Sequence, residues 1–80
     1  MQRIIEETIN ELSDIKLSEI KKLNEFEMLG FDNLDIAELV MVLEDKLQIT
    51  ATDDMFSTNS VTRLIEKIEK LNITVKQNII

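Results

Sequence analysis

Residues 29–44 read Leu-Gly-Phe-Asp-Asn-Leu-Asp-Ile-Ala-Glu-Leu-Val-Met-Val-Leu-Glu. Gly30 is the only glycine in the chain. With no Cβ, it takes φ > 0 at a turn without steric penalty. Asp32 follows as the expected N-cap of a helix, and Asp35, three residues on, completes a variant of the capping box. Asp35 and Glu38 place negative charge near the positive end of the helix dipole. Ile36, Leu39, Val40, Leu43 and Leu47 then recur on one wide apolar face, which predicts a helix over 33–47.

Working outward, Ile4, Ile5, Ile9 and Leu12 share a face of a helix over 2–13. Val61, Leu64, Ile65, Ile68 and Leu71 mark another over 60–71, with Ser60 as its cap. A short helical turn at 53–56 offers Met55 and Phe56 to a core. Residues 14–31 read as a long loop packed across the helix ends, with one helical turn near 18–23. That loop is not polar: Ile15, Leu17, Ile20, Leu23, Phe26, Met28 and Leu29 all call for burial. There is no proline, linker, repeat or strand pattern. The expected architecture is all-α. It is a small antiparallel four-helix bundle, with three main helices, one short one and a long loop after the first. One domain spans 1–71. The tail 72–80, rich in β-branched residues, either frays or folds back through Ile73 and Val75.

Eighty residues scale to roughly 5,000 Å² of folded surface against roughly 13,500 Å² unfolded, enough for one core but not for a deep enclosed active site as well. The chain has no His and no Cys. That excludes Ser–His–Asp and Cys–His catalysis, thiol redox chemistry, disulfides and the usual zinc sites. No calcium-loop spacing is present, and no metal site is expected. A paired-carboxylate hydrolase would require a cleft that three helices scarcely provide. The balance of 16 acids to 9 bases leaves a net charge of −7, which phosphate backbones repel, so nucleic acid is not an expected partner. From Glu25 to Asp45 there are seven acids and no base. That stretch attracts a cationic surface, or serves simply as a solvated acidic face. No apolar run approaches the length of a membrane span, and the first residues carry acids where a signal peptide has its apolar stretch. A cytoplasmic address is the default expectation.

The 29–44 stretch closely resembles the attachment motif of the acyl carrier protein family. That motif runs Leu-Gly-x-Asp-Ser-Leu-Asp, followed by a helix containing Glu-Leu-Val-Met and then Leu-Glu. Ile49-Thr50 with Asp53-Asp54, and Ser60-Val61 with Leu64-Ile65, resemble later segments of the same family. The likeness is weak in residues 1–24 and absent in the tail. It implies a non-catalytic, monomeric carrier of 4′-phosphopantetheine. The partners implied are a synthase, acyltransferase or phosphopantetheinyl transferase with a basic docking surface, in fatty-acid, polyketide or nonribosomal-type biosynthesis. By resemblance, Asp32, residue 33 and Leu34 form the attachment position. Asp35, Ala37, Glu38, Met41, Glu44 and Asp45 lie along the partner-facing side of the second main helix. The plainer alternative makes Leu34 and Met41 peripheral core. Lys46 is given no role. In a competent carrier Leu39, Val42, Leu43, Val61, Leu64 and Ile65 could line a cavity for cargo; packed core is their default role.

The departure from the family pattern is Asn33, which stands where the family has its attachment serine. Attachment requires a hydroxyl oxygen to attack a phosphorus of coenzyme A and remain as a phosphodiester. An amide nitrogen is delocalised and a poor nucleophile, and an amide oxygen forms no stable ester. The chain is therefore expected to lack the prosthetic group at residue 33. No other hydroxyl follows the Asp at the helix start. Three functions stay open. The first is a carrier-like protein that docks but holds no acyl chain. The second is a phosphopantetheine carrier whose serine has been exchanged for Asn33. The third is an acidic helical adaptor of unrelated use.

Overall fold

The three apolar faces legible in the sequence each become a helix. The computed structural model describes the backbone of residues 1–79 and the side chains of residues 1–71. Helix α1 spans Gln2–Ser13, α2 Leu17–Leu23, α3 Asn33–Leu47 and α4 Val61–Ile79, with a 3₁₀ turn at Asp53–Ser57 between the last two. Helix α1 packs against α2, α3 and α4, and the 3₁₀ turn packs against α3. The protein is thus a small all-α bundle. Ile5 and Ile9 of α1, Ile36, Leu39, Val40 and Leu43 of α3, and Val61, Leu64 and Ile68 of α4 form its core, closed at one end by Met55.

Three expectations change. The stretch 14–31 is not one long loop, because α2 occupies two turns of it rather than one. Of its apolar residues, Ile20, Phe26 and Leu29 are buried, but Leu17 and Met28 stay largely exposed. Leu17 begins α2 and Ile20 fills the inward position of that short helix, while Met28 lies in a tight turn whose inward places go to Phe26 and Leu29. On α1, Ile4 and Leu12 lie at the edge of the buried face. Thr8 takes an inward position, its hydroxyl donating to the Ile4 carbonyl at 2.7 Å. Helix α4 runs to Ile79 rather than ending at 71, since no Gly or Pro stops it. The contacts expected of Ile73 and Val75 lie outside the described side chains.

The α2–α3 connection is fastened to the start of α4. The Phe26 amide donates to the Asn59 carbonyl at 3.0 Å, and the Val61 amide to the Asn24 carbonyl at 2.9 Å. The first amides of a helix have no partner within it. Here Ser60 Oγ accepts from the Arg63 amide at 3.2 Å, as expected of a cap. Asn24 Oδ1 accepts from the Thr62 amide at 3.0 Å and from the Thr62 hydroxyl at 2.9 Å. One cap is local and the other reaches across from the loop. Asn24 is itself in a γ-turn at φ 60°, closed by the Glu25 amide on the Leu23 carbonyl. The Phe26 and Phe31 rings stack at 5.7 Å, holding the connection against the beginning of α3.

Candidate functional site

The start of α3 is built from its own side chains. Asp32 Oδ1 accepts from the Asp35 amide at 2.9 Å, and Asp35 Oδ2 accepts from the Asp32 amide at 3.0 Å. This is the reciprocal capping box expected from the spacing. Gly30, at φ 79°, turns the chain into it. The Asp35 amide, donating to the carboxylate, holds Asp32 below the usual carboxylate range. Asn33 is the first residue of the helix and is exposed. An anion placed there would meet the positive end of the helix dipole, although the Asp32 carboxylate already takes the Asp35 amide.

The α3 side chains sort by face. Leu34 is 79% exposed and Met41 60% exposed, so neither is peripheral core. Together with Ala37, Glu38, Val42 and Asp45 they line one shallow, mainly apolar groove. Five of the residues singled out from the sequence therefore meet on one surface: Leu34, Ala37, Glu38, Met41 and Asp45. Val42 joins them, although its apolar character alone suggests the interior; it lies four residues after Glu38 and three before Asp45, the spacings that make helix-surface neighbours.

Two carboxylates of the set are engaged inside the fold. Asp35 belongs to the capping box. Glu44 is half-buried, and its Oε2 accepts from the Ala51 amide at 2.8 Å, fastening the segment after α3. Sequence periodicity does not show that bond, because its partner lies in the irregular segment beyond the helix. Lys46, the only base of α3, turns away from the groove. Its Nζ lies 3.0 Å from Glu11 Oε2 and 3.1 Å from Thr8 Oγ1, both on α1. The groove is thus left with Glu38 and Asp45 as its charged flanks.

The chemistry available at residue 33 is that of an amide. A phosphodiester to a pantetheine arm requires a hydroxyl, and Asn33 has none. Ser13 is half-buried, its Oγ donating to the Ile9 carbonyl at 2.5 Å and accepting from the Ile15 amide at 3.3 Å. Ser60 is occupied in capping α4. The residues at the start of α3 do not fit covalent attachment. Leu39, Leu43, Val61 and Leu64 are buried in the core, while Val42 and Ile65 are half-buried. Among the described residues there is no cluster of three or more His, Cys, Asp or Glu arranged for a metal ion. No helix among them is long and apolar enough to cross a membrane.

Comparison with known proteins matches this frame. Residues 3–68 match the family described as phosphopantetheine attachment site, which takes in nearly all of α1 and runs through to the first turns of α4. The chain is 37% identical over 67 residues to the acyl carrier protein of Wolinella succinogenes, covering 78% of this chain and 88% of that one. It is 41% identical over 51 residues to the acyl carrier protein of Sulfurovum sp. (strain NBC37-1), covering 62% of this chain and 68% of that one. No solved structure matches the chain. The chain belongs to the acyl carrier protein family, whose members are non-catalytic phosphopantetheine carriers.

Proposed function

We propose that this protein docks onto carrier-binding enzymes of fatty-acid, polyketide or nonribosomal-type biosynthesis through the α3 groove, while bearing no 4′-phosphopantetheine at residue 33. It then regulates, scaffolds or competes with an active carrier. The observation that carries this reading is Asn33 at the exposed first position of α3, behind an intact capping box. The helix start keeps its shape and loses only the nucleophile. The groove supports docking in two ways. Leu34 and Met41 give it apolar area to hold a partner, and Glu38 and Asp45 give it charge that speeds encounter with a basic surface.

A second reading is a carrier whose serine has been exchanged for asparagine. It draws on the same observation, since the cap and groove remain complete around Asn33. One experiment addresses both. The protein and its Asn33→Ser variant are incubated with coenzyme A and a broad-specificity phosphopantetheinyl transferase, and intact masses are measured. The expected result is one phosphopantetheine on the serine variant and none on the parent. Modification of the parent would overturn the inactivity of residue 33. Failure of the serine variant to be modified would overturn docking through α3. A serine variant as efficient as an ordinary carrier favours the second reading; a poor one that still binds the transferase favours the first.

A further inference from the structure

The chain has four methionines and no Cys, His, Trp or Tyr. Its thioethers are therefore the side chains most open to two-electron oxidation. The fold treats the four differently. Met55, in the 3₁₀ turn, is 1% exposed. Met1 is half-buried and packs against the core. Met28 and Met41 stand 61% and 60% exposed. An oxidant in solution reaches those two sulfurs first and Met55 last.

The two exposed methionines differ in where they lie. Met28 is in the turn that precedes α3, outside the groove. Met41 lies in the groove with Leu34, Ala37 and Val42, and Glu38 and Asp45 flank it. A sulfoxide replaces an apolar, polarisable sulfur with a polar group whose oxygen accepts hydrogen bonds. A partner that covers that oxygen must strip water from it. None of the groove's side chains donates a hydrogen bond in return, since Glu38 and Asp45 are acceptors when ionised and the rest are apolar. In the free protein the same oxygen faces water, so the fold tolerates it.

We propose that Met41 is an oxidation switch for docking on α3: a hydroperoxide converts its thioether to the sulfoxide, which releases the partner and leaves the bundle folded. The proposal rests on the docking reading above. In the step, a sulfur lone pair attacks the terminal oxygen of the hydroperoxide. The S–O bond forms as the O–O bond breaks, and the proton passes to the departing oxygen. Sulfur is oxidised by two electrons, and the peroxide is reduced to an alcohol, or to water when it is hydrogen peroxide. Methionine sulfoxide reductases reverse the change.

The test uses the full chain carrying Asn33→Ser, alone and with Met28→Leu or Met41→Leu added, swaps that keep size and apolar character. Each protein is treated with hydrogen peroxide, freed of it and mapped by peptide mass. Transferase KM and thermal unfolding are measured before and after treatment. Met28 and Met41 should gain oxygen at similar rates, and Met55 about tenfold or more slowly. In the Met28→Leu protein, oxidation at Met41 should raise KM about tenfold with an unchanged melting curve, and sulfoxide reductase should restore it. In the Met41→Leu protein, oxidation at Met28 should leave KM where it stood before treatment. Oxidation at Met41 without a rise in KM, or with a rise no larger than Met28 gives, would overturn the switch. So would a rise accompanied by a lower melting temperature, which would make Met41 a packing residue. An untreated Asn33→Ser chain that takes no phosphopantetheine removes docking itself, and the switch with it. One modified equally well before and after oxidation removes the switch alone.

Discussion

Glu44 is expected to act more in holding the fold than in gripping a partner, and replacing it distinguishes the two. Its carboxylate accepts from the Ala51 amide at 2.8 Å. A hydrogen bond to a charged acceptor contributes about 1.5–3 kcal/mol, and one between neutral groups about 0.5–1.5 kcal/mol. Both partners are half-buried, so water partly replaces the lost bond and the lower end applies. Alanine returns a few tenths of a kcal/mol as the better helix former. Glu44→Ala should therefore cost about 1 kcal/mol. In a domain of this size that lowers the thermal midpoint by about 4–8 °C. Glu44→Gln keeps an acceptor and should fall about halfway. The assays are thermal unfolding by far-UV circular dichroism and hydrogen exchange at the Ala51 amide. Both variants should speed exchange at Ala51, alanine more. On the Asn33→Ser background, Asp45→Ala should raise the transferase KM more than Glu44→Gln does. A Glu44→Ala protein that melts with the parent and exchanges Ala51 at the parental rate would refute the reasoning. Glu44 would then be a surface acid available for docking.

Two further outcomes follow from the caps. Asn24 combines a positive-φ γ-turn with a side-chain cap on α4, so Asn24→Gly should lose about 1 kcal/mol in bonds to Thr62 but relax the turn. Asn24→Ala loses the same bonds without that relief and should be less stable than Asn24→Gly by about 1 kcal/mol; equal urea midpoints for the two would remove the turn from the account. Asp32 is held below its ordinary value of 3.8 first by the Asp35 amide, and Asp54 first by the Thr52 hydroxyl and then by Lys67. A carboxyl lowered in the folded state stabilises it above the unfolded value, and that contribution fades as pH falls through the folded one. The thermal midpoint should therefore drop on acidification below about 3.8, more steeply in the parent than in Asp54→Asn; parallel curves would exclude Asp54 from the acid transition.

Much of the frame is local and so is readable along the chain. The boundaries of α1 and α3 follow from periodic apolar residues, and the α3 start follows from Asp32, Asp35 and Gly30, whose interactions close within a few residues. Helix α2 is harder to see. At seven residues it is too short to show a period, and its apolar residues mix with those of the flanking loops. The excess length of α4 is a boundary error of the usual kind, where no stop residue marks the end.

By itself the sequence determined the helical class, the acidic character of α3, the capping box and the absence of a hydroxyl at residue 33. Each depends on residue identity or on spacings of three or four. Only the tertiary structure decided which carboxylates remain free. Glu44 is engaged by Ala51, Lys46 is drawn to Glu11, and Asn24 caps a helix that begins 37 residues later. Those pairings are set by how the segments pack, and packing joins residues whose separation along the chain carries no periodic signal. Leu12 of α1 and Glu38 of α3 likewise border one surface depression only because the core beneath them brings the two helices together.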